Sequence, residues 1–108
     1  MDAQLKRGIL EFCVLAELCR GDSYGYKIEK DLASHVKLSE SALYHILKRH
    51  EAAGFVRAQS VEHNGRLRRV YAITQDGRAR LMAFKDEWQN VARAMDFIEK
   101  AVGGCDKE

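Results

Sequence analysis

A mainly α-helical fold with a small β-hairpin is expected for this chain: a winged helix-turn-helix followed by a long C-terminal dimerisation helix. Three observations lead there. Two short amphipathic segments, near residues 24–33 and 39–54, are separated only by a brief connector. Directly after them, residues 55–62 and 66–73 are strand-like runs joined through His63-Asn64-Gly65. In the last third, apolar residues recur at alternating spacings of three and four. Residues 1–74 then form the winged helix-turn-helix, and residues 75–108 the dimerisation helix with a short tail.

Composition agrees with one folded unit. The chain has 108 residues, 46% hydrophobic and 31% charged, which is ordinary for a globular domain. Proline is absent, so no stiff linker is expected. No apolar run is long enough to cross a bilayer. Glu11, Glu17 and Arg20 interrupt the first apolar stretch, so it does not read as a signal peptide, and a cytoplasmic location with no membrane partner is expected. Net charge is only +2, but arginine is concentrated around the hairpin, and a local basic patch is what attracts phosphate.

The first helix spans about residues 5–19. Leu5, Ile9, Cys13 and Ala16 form one stripe, and Leu10, Val14 and Leu18 widen it. So broad an apolar surface must be covered on more than one side. Gly21 should close it as a left-handed C′ residue. Asp22 and Ser23 offer N-caps for a second helix over about residues 24–33, with Tyr24, Ile28 and Leu32 inward. After the connector, Leu38 can pack back as a hydrophobic staple and Ser39 caps the next helix, which Gly54 ends. Leu43, Ile46, Leu47 and His50 make its inward stripe; Ser41, Tyr44, His45 and Lys48 make the opposite one.

Asn-Gly between strand-like runs is the strongest short hairpin signal, because a type I′ turn needs positive φ at both centres. Arg66, Arg68 and Arg69 cluster beside that turn, with Arg57 on the outgoing strand. Thr74 caps the last helix, with Asp76 in its first turn. That helix should run to about residue 102 and stop at Gly103-Gly104. Leu81, Phe84, Trp88, Val91, Met95, Ile98 and Val102 form its heptad seam, which calls for another helix, most simply its own copy.

The hydroxyls, imidazole and ammonium of Ser41, Tyr44, His45 and Lys48 can reach base edges and phosphates, and a basic hairpin tip suits the DNA backbone or the minor groove. Taken singly, each feature also describes a solvated helix face or a charged sheet edge. Together they point to double-stranded DNA. The alternative is a winged-helix protein-interaction module. An enzyme is not expected, since no Gly-rich phosphate loop and no nucleophile with a positioned base is present. Cys13, Cys19 and Cys105 include no C-x-x-C, and His35, His45, His50 and His63 make no i, i+4 metal pair, so no metal or cofactor is expected. Cys13 and Cys19 read as small apolar residues of a buried helix.

The segments LKRGILEFCVLAEL, GDSYGYKI, LSESALYHILKRHEAAGFV and NGRLRRVYAITQDGRARL resemble, in order and spacing, the PadR family of bacterial transcriptional regulators. The resemblance covers about residues 5–82, and the single long helix beyond looks like the short subfamily. It implies a homodimeric winged-helix repressor on a pseudo-palindromic operator. By similarity the DNA-facing positions are Tyr24, Ser39, Ser41, Tyr44, His45, Lys48, Asn64, Gly65, Arg66 and Arg68. His50 departs from the family, standing where a leucine is usual, and the wing lacks the extra glycines and proline of many members. Members respond to small apolar or phenolic effectors, some at the dimer interface. Trp88 stands where such members place a central aromatic, and Ile9, Phe12, Phe84, Val91 and Met95 would line such a pocket, with Leu81 and Ile98 extending the interface. The simpler reading of Trp88 is that it packs the seam.

Overall fold

The structure is a computed structural model that describes residues 3–105. Its order is α1 (Ala3–Arg20), β1 (Ser23–Tyr24), α2 (Gly25–Leu32), α3 (Glu40–Ala52), β2 (Val56–His63), β3 (Arg66–Ile73) and α4 (Gln75–Cys105). The three strands form one antiparallel sheet in the order β1-β3-β2. With the helix-turn-helix of α2 and α3 this is the expected winged-helix arrangement.

The core lies where α1, α2 and α3 meet the base of the sheet. Val14, Leu15 and Leu18 of α1 pack with Ile28 and Leu32 of α2, Leu43, Ile46 and Leu47 of α3, and Val56, Tyr71 and Ile73 of the strands. Leu38 packs against it from the connector, as a staple would. The broad apolar face expected on α1 is buried unevenly. Leu5 is exposed and Ile9 and Cys13 are half-buried, while Val14, Leu15 and Leu18 enter the core. α1 is apolar on two sides, and the second side faces α4. Cys19 is exposed rather than buried.

Two helix ends differ from expectation. Gly21 follows α1, and its N–H reaches the Leu18 carbonyl at 3.2 Å, but its φ is 159°, far from a left-handed helical turn. Neither Asp22 nor Ser23 caps α2. Ser23 is buried in β1, paired with Tyr71, and Tyr24 occupies the cap position with no side-chain cap bond. A two-residue strand is too short to show the period-two alternation that marks strands in sequence.

The ends of α3 follow the sequence. Ser39 Oγ accepts from Ala42 N at 3.1 Å. At the other end Gly54 has φ 82°; its N–H bonds Glu51 O at 3.1 Å and Phe55 N–H bonds His50 O at 2.9 Å. That double closure is a Schellman motif, and the His50 and Phe55 rings, 6.2 Å apart, supply its usual side-chain contact. The hairpin closes on two residues, Asn64 (φ 52°) and Gly65 (φ 78°), with His63 opposite Arg66.

Thr74 joins the wing to α4. Its hydroxyl donates to Gly54 O at 2.7 Å and accepts from Gly77 N at 3.0 Å, and its N–H bonds Phe55 O at 2.9 Å. A Cβ on Gly77 would collide with Phe55 O and meet Ile73 Cγ1 at 2.8 Å, so only glycine lets α4 start this close to the sheet. The helix then continues to Cys105, through the Gly103-Gly104 pair expected to stop it. Neither glycine takes a positive φ, and glycine costs only about 1 kcal/mol per residue in a helix, a penalty without a stop. At 31 residues α4 outreaches the core and gives the molecule principal extents of 66 × 25 × 21 Å.

Candidate nucleic-acid interface

α3 presents the expected polar face. Ser41, Tyr44, His45 and Lys48 are all exposed, while Leu43, Ile46, Leu47 and His50 are buried beneath them. Ser39 spends its acceptor on the cap and keeps its own proton to donate. Tyr44 leans across the start of α2. A Cβ on Gly25 would strike the Tyr44 hydroxyl and lie 2.8 Å from Cζ. Gly25 therefore does not merely weaken the helix; it makes room for the ring. Burial pushes the Tyr44 hydroxyl pKa up, so it remains a proton donor at neutral pH.

Tyr24 lies at the junction of β1 and α2, opposite Val70 of β3. The Arg68 guanidinium sits over its ring, 3.9 Å from the centroid. Tyr24 and Arg68 are thus one unit, with the cation held over the ring face. Tyr24 connects the α3 face to the wing, and it does so as a platform for Arg68.

The arginines of the wing divide by strand alternation. Arg57, His63, Arg66 and Arg68 share one face, because Arg57 pairs with Ala72, Val61 with Arg68 and His63 with Arg66. Arg69 points to the other face, where it bonds both carboxylate oxygens of Glu51 at 2.9 and 3.2 Å. It does not join the basic cluster expected from sequence adjacency; it fastens the wing to the last turn of α3. Asn64, Gly65 and Arg66 form the exposed tip.

The second group of candidate residues separates into two places. Ile9 and Phe12 of α1 meet Leu81, Phe84 and Trp88 of α4 around a groove of about 310 Å³, which Cys13 and Ala16 also line. Phe12 and Phe84 stack with centroids 3.8 Å apart and planes 9° apart, and Trp88 follows Phe84 at 6.1 Å. Arg80 covers the Phe12 ring at 5.0 Å. Burial raises the Cys13 thiol pKa, making it a poor nucleophile. Val91, Met95 and Ile98 lie beyond the groove on the projecting part of α4 and are 43–47% exposed. Cys13 and Ala16 had a sequence signal, their i+4 and i+7 spacing from Ile9, on the α1 stripe that the sequence requires to be covered. Gly25, Arg80 and the Arg69–Glu51 pair had none.

Among the described residues no cluster of three or more His, Cys, Asp or Glu could hold a metal, and no helix is long and apolar enough to cross a membrane.

A family model described as the transcriptional regulator PadR-like family matches residues 14–83. A solved structure from Streptococcus mutans is 36% identical, with a TM-score of 0.76, and the match covers 83% of this chain and 85% of that one. A PadR-like transcriptional regulator from Bacillus cereus is 27% identical with a TM-score of 0.79, over 89% of this chain and 96% of that one. An uncharacterized protein of Lysinibacillus sphaericus is 28% identical over 97 residues, 85% of this chain and 89% of that protein.

Proposed function

Because the chain belongs to the transcriptional regulator PadR-like family and is a DNA-binding transcriptional regulator, we propose that it acts as a homodimeric repressor on a pseudo-palindromic operator. The observation that carries this reading is the continuous surface running from Ser41, Tyr44, His45 and Lys48 of α3, across Tyr24, to Arg68 and Arg66 of the wing. In this role α3 lies in the major groove, with Ser41, Tyr44 and His45 toward base edges and Lys48 and the Ser39 turn toward phosphate. Asn64, Gly65, Arg66 and Arg68 follow the adjacent backbone or minor groove. Residues 1–74 read DNA and residues 75–108 pair the protomers. The reading is of a binding protein in the cytoplasm, not an enzyme.

Pairing is the role that best fits the distal part of α4. Trp88, Val91, Met95, Ile98 and Val102 leave an apolar seam 42–50% exposed along a helix that extends past its own core. A second copy covers it, and two recognition helices related by the dimer axis enter successive major grooves about 34 Å apart. The groove between α1 and α4 suits a small apolar or phenolic effector, with the Trp88 ring offering a flat surface beside the stacked Phe12–Phe84 pair. Such a ligand releases DNA only if it binds the DNA-incompetent arrangement more tightly.

The test is the double variant Lys48→Ala/Arg68→Ala, with helicity checked by circular dichroism. The reading predicts weaker operator binding and a shallower dependence on salt. Unchanged affinity and salt dependence would remove α3 and the wing as the DNA face.

A further inference from the structure

α3 has two flanks, and only one of them leads to the wing. At 100° per residue, Tyr44, Lys48, Ser41 and His45 succeed one another around the outward arc, with Tyr44 at one edge and His45 at the other. Past Tyr44 come Gly25, Tyr24 and Arg68. Past His45 come Ala42 and Ile46, which turn toward the N-terminal half of α1. There two adjoining hollows of about 590 and 520 Å³ share Lys6, Leu10 and Ala42. Their floor is apolar, and their rim carries Lys6 and Arg7 from α1 and Lys37 from the connector.

All three cations are exposed, and none has an ion-pair partner among the described residues. Glu11, the acidic residue lining the larger hollow, is engaged by Arg49 at 2.9 Å. Glu40, in the first turn of α3, is the nearby carboxylate in sequence, and three cations outweigh it.

A helix in the major groove has a sugar-phosphate strand on each side, about 12 Å apart. The wing and Arg68 serve one side. We propose that Lys6, Arg7 and Lys37 serve the other, forming a phosphate clamp on α1 that extends the DNA interface beyond the helix-turn-helix and wing. The clamp rests on the reading of α3 as the groove-binding helix. It holds backbone, not bases, so it adds affinity without sequence preference.

The experiment compares wild type, Lys6→Ala/Arg7→Ala/Lys37→Ala and Lys48→Ala/Arg68→Ala. Each binds a duplex from upstream of the coding region and a scrambled duplex, across about 50–200 mM salt, where phosphate contacts dominate. The clamp variant should bind both duplexes more weakly by the same factor, and its log–log salt slope should fall by about 2–3, roughly 0.9 for each phosphate lost. Lys37→Ala alone, outside any helix, should remove about one unit of slope, which guards against a folding defect in α1. An unchanged slope in the clamp variant, with Lys48→Ala/Arg68→Ala weakened, overturns the clamp and leaves the α3 reading standing. Loss of preference for the upstream duplex also overturns it, because it would mean base contact. If wild type binds and neither variant differs, or if wild type binds neither duplex, both readings fall.

Discussion

Replacing Thr74 by valine should destabilise the protein by about 2 kcal/mol while leaving every residue of the proposed DNA face untouched. The side chain keeps its shape and loses its hydroxyl. Two bonds go with it: the donation to Gly54 O at 2.7 Å, which ties the end of α3 to the wing exit, and the acceptance from Gly77 N at 3.0 Å, which caps α4. A lost N-cap costs about 0.5–2 kcal/mol and a lost neutral hydrogen bond about 0.5–1.5. Gly77 is buried, so its N–H cannot turn to water and the cap loss belongs in the upper part of its range. Gly54 is exposed, so its carbonyl is rehydrated and that loss belongs in the lower part. Together these give about 2 kcal/mol, a fall in Tm of about 10 °C at fixed protomer concentration. Thr74→Ser retains the oxygen and should stay within about 0.5 kcal/mol of wild type. Denaturant melts of the three proteins decide it. A valine variant as stable as wild type, or a serine variant as damaged as the valine one, would refute this account of the junction.

Other outcomes follow from the same geometry. Burial lowers the His50 pKa, partly offset by the bond from its Nε2–H to the Glu11 carbonyl at 2.9 Å. The folded state therefore prefers neutral imidazole: its contribution is complete above the unfolded value of about 6.5 and is lost as pH falls through the lowered folded value. His50→Gln, which keeps a donor and does not titrate, should melt with less acid sensitivity between about pH 7 and 5; equal sensitivity would show that His50 is not the group. Gly25→Ala should cost about 1–3 kcal/mol, because its Cβ displaces the Tyr44 ring, and most of that cost should vanish in Gly25→Ala/Tyr44→Ala. An additive pair would mean the ring is not the obstacle. Val91→Asp/Ile98→Asp should sediment as a monomer and lose operator affinity, since both residues lie on the exposed seam of α4. A dimer that persists would place the interface elsewhere.

Much of the fold was legible because local chemistry and tertiary packing agree. Ser39 and Gly54 bound α3 in sequence and in space, Asn64-Gly65 closes the hairpin, and Thr74 caps α4. Illegible parts depend on contacts between distant residues. Ser23 looks like a helix cap until β3 arrives to pair with it. The stripe from Leu5 to Ala16 was readable as a face that must be covered but not by which neighbour, since periodicity shows only that a face is apolar. Arg69 sits among arginines in sequence, yet alternation sends it to Glu51. In the candidate site the α3 face was readable as an uninterrupted polar stripe. The cation–π contact of Arg68 with Tyr24 was not, because 44 positions separate them and no local pattern records the pairing.

The most direct measurement is binding of the purified protein to the DNA upstream of its own coding region against a scrambled duplex, at near-physiological salt and then across a salt series. Tight binding to the upstream fragment alone is expected, one dimer per site, with affinity falling steeply as salt rises. A well-folded dimer that binds neither duplex, or binds both equally and weakly, would contradict it.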